Sequence, residues 1–182
     1  AWPTPNAAHQ DAEIEARFPR YYPLGLGVLA VSPLEMARAC ATFPNGGREV
    51  VPIAIRYIED RNGKIIMEPA KEALARESRK GAAAQIMSPQ TAYIMTSILQ
   101  STIKEGTLGG QGNLLDIWND KSQAFAAKTG TTQNWEDAWT VGFSGYMTTA
   151  VWYGFDERNR SLGTALTGAQ FNLHRVASAA GE

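Results

Sequence analysis

"FAAKTGTTQNWEDAW", Phe125–Trp139, is the string on which the rest of the chain turns. Its ends read as a buried strand, yet its middle holds Lys128 and Gly130, the residue types least suited to a strand interior. Side chains alternate across a strand, so Lys128 and Gly130 share one face and Thr129 and Thr131 the other. The pattern makes sense where the strand edges a cleft. A glycine lets an extended peptide lie against the backbone and pair as an added strand. The lysine supplies a fixed positive charge for a carboxylate or an activated hydroxyl. Threonine hydroxyls add short donors, and a backbone N–H beside them can stabilise an oxyanion. The plainer alternative is an exposed edge strand whose lysine deters aggregation. K-T-G alone does not choose between them, because three residues recur by chance.

Upstream, the same device starts two helices. "SPLEMARACATF" has Ser32 as N-cap, Pro33 at the first helical position and Glu35 completing the start. Leu34, Ala37, Cys40 and Ala41 form its apolar face, and "PNGG", Pro44–Gly47, stops it. "SPQTAYIMTSILQSTIKEG" opens on Ser88 and Pro89, carries a stripe of Ala92, Met95, Ile98, Leu99 and Ile103, and ends at Gly106. Between the two, "IAIRYIEDRNGKIIMEP" reads as a hairpin turning at Asn62-Gly63, with Glu59 and Asp60 solvated beside the turn. Lys71 to Ala84 reads as a charged surface helix or loop. Downstream of a Gly-rich link, three strands are expected: about Ala124–Thr132, Ala138–Tyr146 and Thr149–Phe155, in an antiparallel meander.

Composition removes several function classes. The chain has 182 residues, enough for a real core, and a net charge of -1, which gives no reason to expect nucleic acid. One cysteine, Cys40, excludes an internal disulfide and a CxxC metal site, and reads as a small buried hydrophobe. With only His9 and His174, a histidine base or metal cluster is not expected. The longest apolar run, "LGLGVLAV", is far too short to span a membrane.

Taken together, the strings resemble the transpeptidase domain of the class A penicillin-binding proteins. "LGLGVLAVSPLEMARACATFPNGG", the hairpin "VPIAIRYIEDRNGKII", the helix "MSPQTAYIMTSILQSTIKEGT" and "AAKTGTTQNWEDAWTVGFSGYMTTAVWYGFD" follow one another in the family's order. They cover roughly Tyr22 to Thr167 and are far more specific than K-T-G. The resemblance implies an α/β (α+β) fold, an antiparallel sheet with helices packed on it, present here as the C-terminal part of one domain. Within it, 1–21 is an irregular lead-in, 22–167 the family-like region and 168–182 an atypical tail, where "LTGAQFNLHRVASAAGE" replaces the family's T-G-G and A-P-rich helix start.

The family's chemistry uses S-x-x-K, S-x-N and K-T-G. Only the third stands where the family places it. A literal S-x-x-K, Ser101–Lys104, lies on the second helix with no S-x-N after it, and reads as a solvent-side coincidence. The resemblance implies Lys128 and Thr131 as catalytic residues, with Thr129, Gly130, Thr131 and Thr132 binding substrate. Lys128 and the threonine hydroxyls would hold the carboxylate of a stem peptide or β-lactam, and the Thr131 N–H would complete an oxyanion hole. Asp137 and Trp139 are expected to be structural, Trp152 and Tyr153 to face the core, and Gln133 and Trp135 to border the cleft or lie on the surface.

The implied parent is a peptidoglycan D,D-transpeptidase working through a serine ester, without metal or organic cofactor. Its partners would be stem peptides, β-lactam antibiotics and other cell-wall synthesis proteins. It would sit in the periplasm or on the outer face of the inner membrane, with an anchor and a glycosyltransferase domain upstream. A serine β-lactamase and a non-catalytic binding module remain as alternatives.

Overall fold

Pro33 fixes the first turn of helix α1, Pro33–Ala41, and the chain then tightens through Thr42–Gly47. The turn is stitched to a distant segment. Gly47 has φ 82°, and a Cβ there would stand 2.2 Å from the Met87 carbonyl oxygen. In return, the Gly47 carbonyl accepts from the amides of Ile86 and Met87 at 2.9 and 3.2 Å. Only glycine fits so close an approach in the left-handed region. The "PNGG" stop signal therefore also docks the entry to the long helix that starts at Pro89.

The computed structural model describes residues 12, 14–18, 22–27, 29–108, 125–157, 159–164 and 166–171. Two compact units divide at Ser32/Pro33. In the first, residues 14–17 are helical, and Tyr22–Leu26 form a 3₁₀ turn. In the second, α1 is followed by a hairpin of β1, Ile58–Glu59, and β2, Ile65–Met67. Asp60 holds its turn: the side-chain oxygen accepts from the amides of Asn62 and Lys64 at 2.8 and 3.0 Å, with Gly63 left-handed at φ 78°. Asp60 is thus half-buried and bonded rather than merely solvated. Helix α2, Pro69–Lys80, begins directly after β2 and passes into a 3₁₀ turn at Gly81–Ala84.

Helix α3, Pro89–Lys104, starts as its sequence dictates: the Ser88 hydroxyl accepts from the Thr91 amide at 3.1 Å. Strands β3, Ala126–Thr131, β4, Asp137–Phe143, and β5, Thr148–Gly154, then form an antiparallel meander in the order β3-β4-β5. A short helix α4, Gly168–Phe171, closes the described part; Ala124, His9, His174 and 172–182 lie outside it.

The sheet has helices on both faces. Ala127 packs with Ile103 of α3 and Leu108, flanked by Phe125 and Ala169. On the other face, Phe143 meets the ring of Phe43, just past α1, with centroids 5.9 Å apart. Three expectations fail at the rim of this core: Leu34 of α1, Ile98 of α3 and Tyr153 of β5 are exposed. Cys40 is half-buried, and burial pushes its thiol up to about 11, which keeps it an inert small hydrophobe.

Charge ties the peripheral helices together. Glu49 bonds Lys80 of α2 and lies 3.1 Å from Arg38 of α1, while Lys80 also lies 3.2 Å from Glu77. The hydrogen bond from Lys80, then the positive charges, hold the Glu49 carboxyl below its usual range. The Glu49 and Glu77 contacts raise Lys80 in turn.

Candidate functional site

Among the described residues, strand β3 pairs with β4 on one side only. Its register pairs Lys128 with Val141, Gly130 with Trp139 and Thr131 with Ala138. Just beyond, the Thr132 amide donates to the Asp137 carbonyl at 3.1 Å, so even-numbered residues turn their main-chain groups toward β4. Alternate residues of an antiparallel ladder do the opposite. The N–H and C=O groups of Ala127, Thr129 and Thr131 therefore point to the open edge. The Thr102 hydroxyl of α3 confirms this by donating to the Ala127 carbonyl at 2.5 Å.

Side chains divide as the alternation requires. Lys128 is exposed on one face, and its ammonium bends back to donate to the Thr129 carbonyl. Gly130 shares that face, where a Cβ would reach 3.4 Å from Trp139 Cβ. Thr129 and Thr131 share the opposite face, toward α3 and α4. The Thr129 hydroxyl lies 3.4 Å from that of Thr107, and the Thr131 hydroxyl accepts from the Gly168 amide at 3.4 Å. Both contacts are long, so neither claims the hydroxyl proton strongly. A ligand laid along this edge meets the ammonium from one side and two hydroxyls from the other.

What holds the edge in place lies one layer deeper. Thr140, fully buried at the centre of β4, donates to the Gly168 carbonyl at 2.7 Å. A Cβ on Gly168 would stand 2.1 Å from the Trp139 carbonyl oxygen and 3.0 Å from that of Gly130. Glycine at 168 thus lets α4 rest on the sheet backbone beneath the K-T-G strand. Sequence reasoning missed both residues. A hydroxyl amid the apolar run of β4 was the available signal for Thr140; for Gly168 it was the T-G pair that the atypical tail retains.

Beyond the strand, Asp137 organises the turn. It accepts from the Thr132 hydroxyl at 3.0 Å and from the Trp152 indole N–H at 2.8 Å, and its own amide donates to the Thr132 hydroxyl at 2.8 Å. Asp137 is therefore structural, and the Thr132 side chain serves that knot. Asn134 and Trp135 stand in the left-handed region at φ 62° and 53°, with the Trp135 carbonyl fixed by the Leu162 amide at 2.8 Å. Ser101 is not set up for chemistry: it is exposed, and its hydroxyl donates to the Ser97 carbonyl of its own helix at 3.3 Å. Among the described residues no group of acidic, histidine or cysteine side chains could hold a metal ion.

This order of elements has a counterpart among known proteins. The family model of the penicillin-binding protein transpeptidase domain matches residues 15–159. The chain belongs to the penicillin-binding transpeptidase family. Its relatives place it with the class A, 1A-type members: penicillin-binding protein 1A of Aquifex aeolicus is 33% identical over 153 residues, 84% of this chain and 19% of that protein. The crystal structure of penicillin-binding protein 1A from Haemophilus influenzae superposes with TM-score 0.72 at 26% identity, covering 89% of this chain and 28% of that one. PonA1 from Mycobacterium tuberculosis, solved with penicillin V, gives TM-score 0.69 at 24% identity, covering 90% and 41%. The chain spans about a fifth of the length of the curated relatives it matches. The fold is that of the penicillin-binding transpeptidases, antiparallel sheet and packed helices together.

Proposed function

We propose that the chain is the C-terminal part of a peptidoglycan D,D-transpeptidase domain and that β3 is the strand on which the donor stem peptide, or a β-lactam, lies. The observation that carries this reading is the open edge of β3, where the main-chain groups of Thr129 and Thr131 face outward between the exposed Lys128 and two weakly engaged hydroxyls. Lys128 binds the terminal carboxylate and sits beside the nucleophile. Thr129 and Thr131 donate to the same carboxylate. Gly130 keeps the strand flat for the incoming peptide, and the Thr131 N–H is one donor of the oxyanion hole. Such a donor is worth roughly two to three orders of magnitude in rate. Thr132 acts through the Asp137 knot, fixing the end of the strand.

In the reaction, a serine oxygen attacks the carbonyl of the D-Ala-D-Ala bond and D-Ala leaves with a proton. An amine of a second stem peptide then displaces the serine from the ester. None of the serines in this chain stands in the family's S-x-x-K position, so on this reading the nucleophile comes from sequence upstream, along with the membrane anchor and glycosyltransferase domain. The parent works outside the cytoplasmic membrane. Its β-lactam sensitivity is supported by the penicillin V complex of PonA1.

Intact mass after incubation with penicillin V tests the reading. The form extended upstream gains the antibiotic's mass and the 182-residue chain does not. Acylation of the short chain at Ser101 would overturn the assignment of the site. If neither form reacts, a non-catalytic binding module of the same fold takes its place.

A further inference from the structure

Another edge strand is β2, paired only with β1 among the described residues. Ile65, Ile66 and Met67 are all exposed there, an apolar edge with no charge or proline inside it to discourage pairing. Helix α2 runs alongside, and between the two lies a groove of about 650 Å³, within the range of known binding clefts. One wall is the β2 edge, and the other carries Arg76 and Arg79, three residues apart on the helix. Lys71 on the same wall is neutralised by Glu68 at 3.2 Å. Neither arginine makes an ion pair among the described residues. Glu72 is the one carboxylate on this rim outside the Lys71–Glu68 pair, so the free charge remains positive.

We infer that this groove binds an extended segment of a partner protein, apolar and acidic in alternation, which adds to β2 as a third strand. Strand addition satisfies the free main-chain groups of the edge, and alternate side chains of the guest then face opposite ways. Its apolar residues cover Ile65 and Met67, which share one face. Its carboxylates reach the guanidinium groups, which favour that geometry over a single ammonium. A second copy of this chain is a poorer guest, because twofold pairing at this edge brings the same arginine-bearing rim against itself. The inference rests on the hairpin and α2 alone and is independent of the transpeptidase reading.

Fluorescence anisotropy on the 182-residue chain tests it, using a labelled peptide that alternates valine and glutamate. Saturable binding is expected, weakened about tenfold or more by Arg76→Glu with Arg79→Glu and by added salt. The same peptide with lysine for glutamate, or with N-methyl groups along one main-chain edge, binds at least about tenfold more weakly. Both arginines are exposed, so the variant keeps its fold, checked by circular dichroism; the lysine peptide needs no variant. Absence of binding, equal binding of the lysine peptide, or indifference to charge reversal would each overturn the inference.

Discussion

Two edge strands among the described residues, β3 and β2, are made of opposite materials. At β3, the edge carries a lysine, a glycine and threonines, and it is braced from below by α3 and α4. At β2, the edge carries two isoleucines and a methionine, and it belongs to a hairpin whose strands are wholly exposed. The first is a polar edge on a rigid sheet. The second is an apolar edge on a light one. Rigidity suits chemistry, where a misplaced donor costs rate, while an apolar edge suits association, where covering surface supplies the affinity. On the two proposals, the same exposed backbone would serve different ends according to the side chains beside it.

The sharpest way to break the contrast is to remove the charge at β3. In the upstream-extended protein, Lys128→Ala should slow penicillin V acylation by about a hundredfold or more while leaving thermal stability unchanged, since the ammonium is exposed. An acylation rate within a few fold of wild type would leave β3 an ordinary edge. Bracing is tested next. Gly168→Ala forces a methyl against the Trp139 carbonyl, and we expect a loss of roughly 3 kcal/mol in urea unfolding, with the effect strongest in the three-stranded sheet. Thr140→Val leaves the Gly168 carbonyl without its donor at a buried site and should cost about 1–2 kcal/mol.

The smallest effect belongs to the ionic tie near the other edge. The Glu49 carboxyl is held below its usual 4.5, so its contribution is complete above that value and is lost as pH falls through the lower folded value. Lys80 is raised above 10.5, so its share is complete below that value and is lost as pH rises through the folded one. With Lys80 substantially exposed, the whole is worth less than about 1 kcal/mol. Unfolding of Glu49→Gln against wild type, followed from pH 7 downward, should show a difference that shrinks as the pH falls through the folded value.

Much of this was legible in the chain itself. Ser88 and Pro89 announce α3, Pro33 announces α1, and the three strands of the meander follow from their apolar runs and short turns. The alternation around Lys128 marks an edge strand from sequence alone. What the sequence concealed was of two kinds. Leu34, Ile98 and Tyr153 fit apolar patterns yet lie exposed, because periodicity identifies a face but not whether a neighbour covers it. Gly168 and Thr140 act through contacts across 28 and more positions, and nothing local distinguishes a glycine that meets a sheet from one that ends a turn. Asp137 falls between: its place at the strand entry was expected to be structural, but its hold on Trp152 and Thr132 emerges only when β5 lies beside β4.

The most direct test of the account is an amide NMR titration of the ¹⁵N-labelled chain with a peptide ending in D-Ala-D-Ala. The account predicts shifts concentrated at Thr129 and Thr131, the residues whose main chain faces the open edge, and their loss in Lys128→Ala. Shifts centred on Ile65–Met67 instead, or a β3 edge that does not respond at all, would contradict it.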